Sequence, residues 1–133
     1  MFFLEEPMRC FFLHDSSVKT VICEDSLVIF CFDKGFWTSN HVHLNKCKIL
    51  LKISSITPYN IDKFFVVKRK KKNRTKDIQF CDLCKLLNRD TFKIEKEYYS
   101  EFERSILLVG RIVEYEYEIT VTDIDEIKFE FEQ

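Results

Sequence analysis

Val113-Glu-Tyr-Glu-Tyr-Glu-Ile-Thr-Val121 alternates apolar and polar residues at every step. Val113, Tyr115, Tyr117, Ile119 and Val121 fall on one side; Glu114, Glu116 and Glu118 fall on the other. A period of two marks a strand with one buried and one wet face, because successive Cβ atoms point to opposite sides of the backbone. The pattern returns downstream, where Ile127, Phe129 and Phe131 alternate with Lys128, Glu130 and Glu132. A strand with one wet face belongs to an antiparallel sheet, since parallel sheets are covered on both sides.

The remainder of the chain reads the same way. Its 133 residues include 14 Phe and 5 Tyr but only 2 Gly, 2 Pro and no Ala. Aromatic and β-branched residues dominate, so strand propensity outweighs helix propensity. Strands are expected at 9–14, 19–23, 26–32, 41–53, 63–68, 91–98, 105–120 and 126–132. The breaks Glu24-Asp25-Ser26 and Asp33-Lys34-Gly35 suit tight turns, and Gly110 is expected to mark a bulge or bend within one long strand. Helical turns are expected only at 82–88 and 98–104. The fold class is therefore mainly β, an antiparallel sandwich or small barrel with minimal helix. Residues 1–46 read as an N-terminal β-meander packed on a β-domain of residues 47–133, with no Pro/Gly linker between them.

Composition sets further bounds. An apolar fraction of 46% is ample for a core and excludes a wholly disordered chain. No run approaches the roughly 18 apolar residues of a membrane helix. Glu5 and Glu6 interrupt the apolar start, and no basic segment precedes it, so neither a secretory leader nor a membrane partner is expected. Four of the six cysteines sit inside apolar strand-like runs, which points to reduced thiols in a cytoplasmic protein.

The strongest chemical signal is Lys68-Arg69-Lys70-Lys71-Lys72-Asn73-Arg74-Thr75-Lys76, with seven cations in nine positions. So many adjacent like charges call for a polyanion, and a phosphate backbone is the natural partner. A localisation signal and a solvated loop are the other readings. The formal net charge of −1 does not oppose a nucleic-acid partner. Eight acidic residues gather in 114–133, so the sum is a cancellation between two separate regions.

Cys81-Asp-Leu-Cys84 is a C-x-x-C pair, and zinc is the cofactor such a pair would hold. Two more ligands are needed. His41, His43, Cys47 and Cys31 are candidates among which spacing does not choose; a structural turn and a redox pair stay open as well. His41 and His43 would share one strand face, most simply a wet one with Val42 and Leu44 turned inward. Phe36 and Trp37 follow Gly35 in an expected turn, where they would either contact a partner or plug the core. No nucleophile–base pair and no Gly-rich phosphate loop occurs, so a non-enzyme without a small-molecule substrate is expected.

Lys48–Lys68 (KILLKISSITPYNIDKFFVVK) resembles the opening strand and turn of the eukaryotic CXXC-motif-containing zinc-binding proteins. Phe80–Lys85 with Thr91–Glu95 is similar to that family's second C-x-x-C and the strand after it, and 112–118 with 125–131 to its closing strands. The resemblance covers 47–131 and carries over Cys81 and Cys84 as ligand positions. Lys70-Lys71-Lys72-Asn73 stands where the first C-x-x-C would be. A microsporidian member of that family is a dormancy factor of the ribosome, and the AT-rich codon classes of the abundant Phe, Ile, Lys and Asn fit such a source. The resemblance thus implies a ribosome-associated hibernation factor that occupies a tRNA exit site through rRNA and ribosomal proteins. The alternative is a non-enzymatic protein–protein adaptor, zinc-stabilised or not.

Overall fold

The structure, a computed structural model, describes residues 5–132. In chain order its first elements are α1 (Glu5–Met8), β1 (Phe11–Phe12), β2 (Ser17–Val18), β3 (Thr20–Glu24), β4 (Leu27–Phe32), β5 (Phe36–Thr38), β6 (His43–Leu44) and β7 (Lys46–Lys52). They are followed by α2 (Ile61–Phe64), β8 (Phe65–Lys71), β9 (Arg74–Ile78), α3 (Phe80–Leu87), β10 (Phe92–Ser100), β11 (Ser105–Ile112), β12 (Tyr115–Val121) and β13 (Glu126–Glu132). Every strand pairing is antiparallel. A six-stranded sheet runs β2-β10-β11-β12-β8-β9, a four-stranded sheet β13-β7-β4-β3, and a small sheet β1-β5-β6. The expected mainly β, antiparallel class is what forms. All three sheets are open, so the barrel alternative is not realised.

The two large sheets share one core. Phe30 of β4 stacks on Phe65 of β8 with ring centroids 5.8 Å apart. Tyr117, Ile119 and Val121 of β12 are buried with them, as the period-two pattern requires. On the four-stranded sheet the inward rows are Ile127-Leu51-Val28-Cys23 and Phe129-Ile49-Phe30-Val21. The small sheet covers one end of this core, where Phe11 packs on Phe129 at 4.2 Å and on Phe36 at 5.4 Å. Helix α3 lies against β3 and β8 and buries Leu83 and Leu87. Among the described residues no helix is long and apolar enough to cross a membrane.

The chain passes between the two large sheets at Lys19, across 53–64 and across 122–125. Strands from residues 1–46 therefore pair into both: β2 beside β10, and β4 beside β7. Crossing segments leave the ladders, so their backbone groups need other partners. The Lys19 amide donates to Cys31 O at 2.9 Å, Thr122 to Phe64 O at 2.9 Å and Asp125 to Lys52 O at 2.7 Å. The Asp125 carboxylate accepts the Ser54 amide at 2.8 Å and pairs with Arg104 at 3.0 Å, which holds its pKa below the ordinary value.

The expected single strand at 105–120 is instead the hairpin β11–β12. Ile112 pairs with Tyr115, so Val113 and Glu114 form a two-residue turn. Val113 is not on the inner face; it is 67% exposed with φ 57°. No Gly, Asn or Asp announces this turn. The readable signal is a change of parity: Ile106, Leu108 and Ile112 point inward on even positions, and Tyr115 to Val121 on odd ones. The bulge linked to Gly110 lies in the neighbouring strand, where the register shifts between Ile94 and Lys96. Gly110 is required because a Cβ there would sit 2.0 Å from Lys93 O. The Asp25-Ser26 turn forms as expected, with both φ values positive. The element expected at 98–104 is the end of β10 and a turn, while α3 matches the helical expectation at 82–88.

A β-branched residue at positive φ is strained by roughly 1–3 kcal/mol, and glycine is not. Val113→Gly should stabilise the protein by about 1 kcal/mol, read as a melting temperature about 4 °C higher. Glu97 faces the core and accepts the Leu13 amide at 2.8 Å. Burial raises its carboxyl above the ordinary 4.5, against the opposing pull of that hydrogen bond. The folded state then holds a proton that the unfolded state has released, so stability falls as pH rises through that window. Glu97→Gln should melt at a higher temperature than the parent at pH 7, and the gap should close as pH falls to about 4.

Candidate nucleic-acid interface

The basic run is the β8–β9 hairpin. In β8, Phe65 and Val67 enter the core, and the strand continues beyond it as Lys68 to Lys71. β9 is exposed throughout except for the half-buried Ile78. Lys72 at φ 56° and Asn73 close the turn, giving the pairs Lys71–Arg74, Lys70–Thr75, Arg69–Lys76 and Lys68–Asp77. On the other flank β12 pairs with β8 as Tyr117–Arg69, Glu118–Lys68 and Glu116–Lys70.

This register sorts the charges by face, since directly opposed residues share a side of the sheet. Arg69, Lys71, Arg74 and Lys76 continue the inner side, in phase with Val67 and beside Tyr115 and Tyr117. Among the described residues, no carboxylate forms an ion pair with any of these four cations. Arg69 lies 5.3 Å and Lys71 5.5 Å from the Tyr115 ring centroid. The ring thereby orders both cations without neutralising them. Arg69 Nε is shielded from solvent and has no hydrogen-bond partner among the described residues.

The outer side differs. Lys68 and Lys70 face Glu118 and Glu116, and Lys70 Nζ pairs with Glu118 Oε1 at 2.6 Å. That hydrogen bond and charge raise the Lys70 pKa above its ordinary value. Of the seven cations expected to act together, the structure places four on one uncompensated strip and sets Lys68 and Lys70 against carboxylates, with Lys72 in the turn. Tyr115, Glu116 and Glu118 also belong to this region and were not among the expected site residues. Running the parity of Phe65 and Val67 on through residue 76 is the sequence signal that finds the division.

The other candidates lie apart from the hairpin. Cys81 and Cys84 are on helix α3, not in a turn. Cys81 is exposed, with Sγ 3.8 Å from Gln79 Oε1, while Cys84 is half-buried with Sγ 3.6 Å from Val21 O. Burial pushes the Cys84 thiol up, helped by the neighbouring Cys81 and Cys23. Cys47 is buried with its thiol on Leu44 O, and Cys31 is half-buried. Among the described residues no group of three or more His, Cys, Asp or Glu is placed to hold a metal.

His41 is in a turn at φ 63°, so the expected alternation breaks and Val42 is exposed while Leu44 is half-buried. Phe36 and Trp37 stand on strand β5. Phe36 is buried against Phe11 and Phe32, and Trp37 is 51% exposed with His43 edge-on at 5.0 Å.

Comparison with known proteins finds no similar family model, no similar curated protein and no similar solved structure.

The two cysteines of α3 make a chemical prediction. A thiolate reacts with iodoacetamide and a buried thiol does not. Cys81 should be alkylated well before Cys84 in the folded protein, as read by peptide mass mapping over time.

Proposed function

We propose that this protein binds RNA phosphates through the inner-side strip of Arg69, Lys71, Arg74 and Lys76, and that it acts by occupancy, not by chemistry. The observation that carries this reading is the separation of charge across one hairpin. Among the described residues, four cations share a face with no acidic partner, while on the opposite face Lys70 pairs with Glu118 and Lys68 stands across from Glu118 and Asp77. A strip of this kind follows a polyanion on one side only and gives the bound protein a defined orientation. Successive cations on each strand are about 6.7 Å apart, and the two strands lie about 4.8 Å apart, so the strip is a compact two-by-two array.

Ribosomal RNA is the target we assign, and a hibernation factor at a tRNA site is the role, in keeping with the resemblance of residues 47–131 to the CXXC-motif-containing zinc-binding proteins. Zinc has no part in the proposed contact. A cytoplasmic location accords with this target.

A second reading, a protein–protein adaptor, draws on the exposed Trp37 and Val42 beside His43. The two separate by salt and by mutation. Neutralising four phosphates gives a slope of log K against log salt of about −3. Lys71→Ala combined with Lys76→Ala should halve that slope and release the protein from sedimented ribosomes at moderate salt. Lys68→Ala combined with Lys70→Ala should leave the slope close to that of the parent. Equal effects of the two pairs would overturn the face assignment. No ribosome association at low salt would overturn the target. Binding that is insensitive to salt but abolished by Trp37→Ala would establish the adaptor reading instead.

A further inference from the structure

The four-stranded sheet ends on β13, a regular seven-residue edge strand with no bulge in its pairing to β7. Edge strands offer unpaired backbone amides and carbonyls, and proteins ordinarily cover or disrupt them. The opposite edge, β3, is covered by α3, with Cys84 Sγ on Val21 O. β2 has only two residues, and β9 is part of the basic hairpin. Among the described residues, the only backbone partners of β13 are on β7.

The sequence of this edge, Glu126-Ile-Lys-Phe-Glu-Phe-Glu132, is self-complementary when two copies run antiparallel about Phe129. Lys128 then stands opposite Glu130 of the second copy, and Glu130 opposite its Lys128. On the inner side Phe129 meets Phe129, and Ile127 meets Phe131. Phe131 is 42% exposed in the single chain, so this arrangement covers apolar surface left open by the small sheet. Glu126 opposes Glu132 at each end, and both already stand across from lysines of β7, Lys52 and Lys46. Shifting the register two residues toward the N-terminus puts Lys128 against Lys128. Shifting it two the other way puts Glu130 against Glu130. A one-residue slip would set inner against outer side chains.

We propose that β13 is a homodimerisation edge, and that a second copy of this chain adds across it to give a continuous eight-stranded sheet with two-fold symmetry. An isologous contact needs one self-complementary patch, and the Lys128–Glu130 arrangement supplies it. The interface is separate from the basic hairpin, so this inference stands or falls independently of RNA binding.

Sedimentation equilibrium of nuclease-treated protein at concentrations up to about 100 µM tests it. The parent should form a dimer. Lys128→Glu alone places two like-charged pairs across the edge, as does Glu130→Lys alone, and each should weaken the dimer about tenfold. Mixing the two variants restores both opposite-charge pairs, so the mixture should dimerise as heterodimers. Both positions are exposed, and circular dichroism with a melting curve checks that each variant is folded. A parent that stays monomeric overturns the proposal, as does a dimer that both single variants leave unchanged, or a mixture no more associated than its components.

Discussion

The register between β12 and β8 is the constraint on which the rest of this protein depends. Ile119 against Val67 and Tyr117 against Arg69 face the core side, while Glu118 against Lys68 and Glu116 against Lys70 face outward. A slip of β12 by one residue would turn every one of its side chains to the wrong face. It would turn the glutamates of β12 toward the core and take Glu118 away from Lys70. The same hydrogen-bonded pairing thus sets the shared core and the charge separation of the hairpin. Stability and the candidate interface are two consequences of one alternation.

Around that register the chain has to satisfy a topological demand. It passes repeatedly between two sheets that share a core, and each passage exposes backbone groups. The amides of Lys19, Thr122 and Asp125 find carbonyls at 2.7 to 2.9 Å, and the Asp125 carboxylate ties Ser54 to Arg104. A chain with 2 glycines has few places for tight approaches. Gly110 and Gly35 occupy two sites where a Cβ would meet a carbonyl oxygen, Lys93 O and Leu44 O respectively. Elsewhere residues such as Val113 and His41 take positive φ themselves, at an energetic cost of the order of 1 kcal/mol.

The functional reading rests on electrostatics in the same way. A net charge of −1 conceals one strip of cations that, among the described residues, form no ion pair with a carboxylate, because compensation is local to a sheet face. Tyr115 matters here through its ring quadrupole, which orders Arg69 and Lys71 without cancelling their charge. Lys70, tied to Glu118, is less available to an external anion than its neighbours although it is equally basic in sequence.

The sequence by itself determined the strand character, the antiparallel class and the inward rows of β12 and β13, because period-two burial is a local property of the backbone. It located the Asp25-Ser26 turn and the basic run for similar reasons of local chemistry. The Val113-Glu114 turn was harder to read, since it carries none of the residues that favour positive φ and only the parity change betrays it. Only the tertiary structure decided that Phe36 is core and Trp37 is surface, and that the C-x-x-C pair lies along α3 with Cys84 against β3. Only the tertiary structure, too, set Lys68 and Lys70 across from glutamates, while among the described residues Arg69, Lys71, Arg74 and Lys76 form no ion pair with a carboxylate. Those outcomes depend on which strand lies beside which, and pairing between residues some fifty positions apart is set by packing of the whole core, not by the residues at either end.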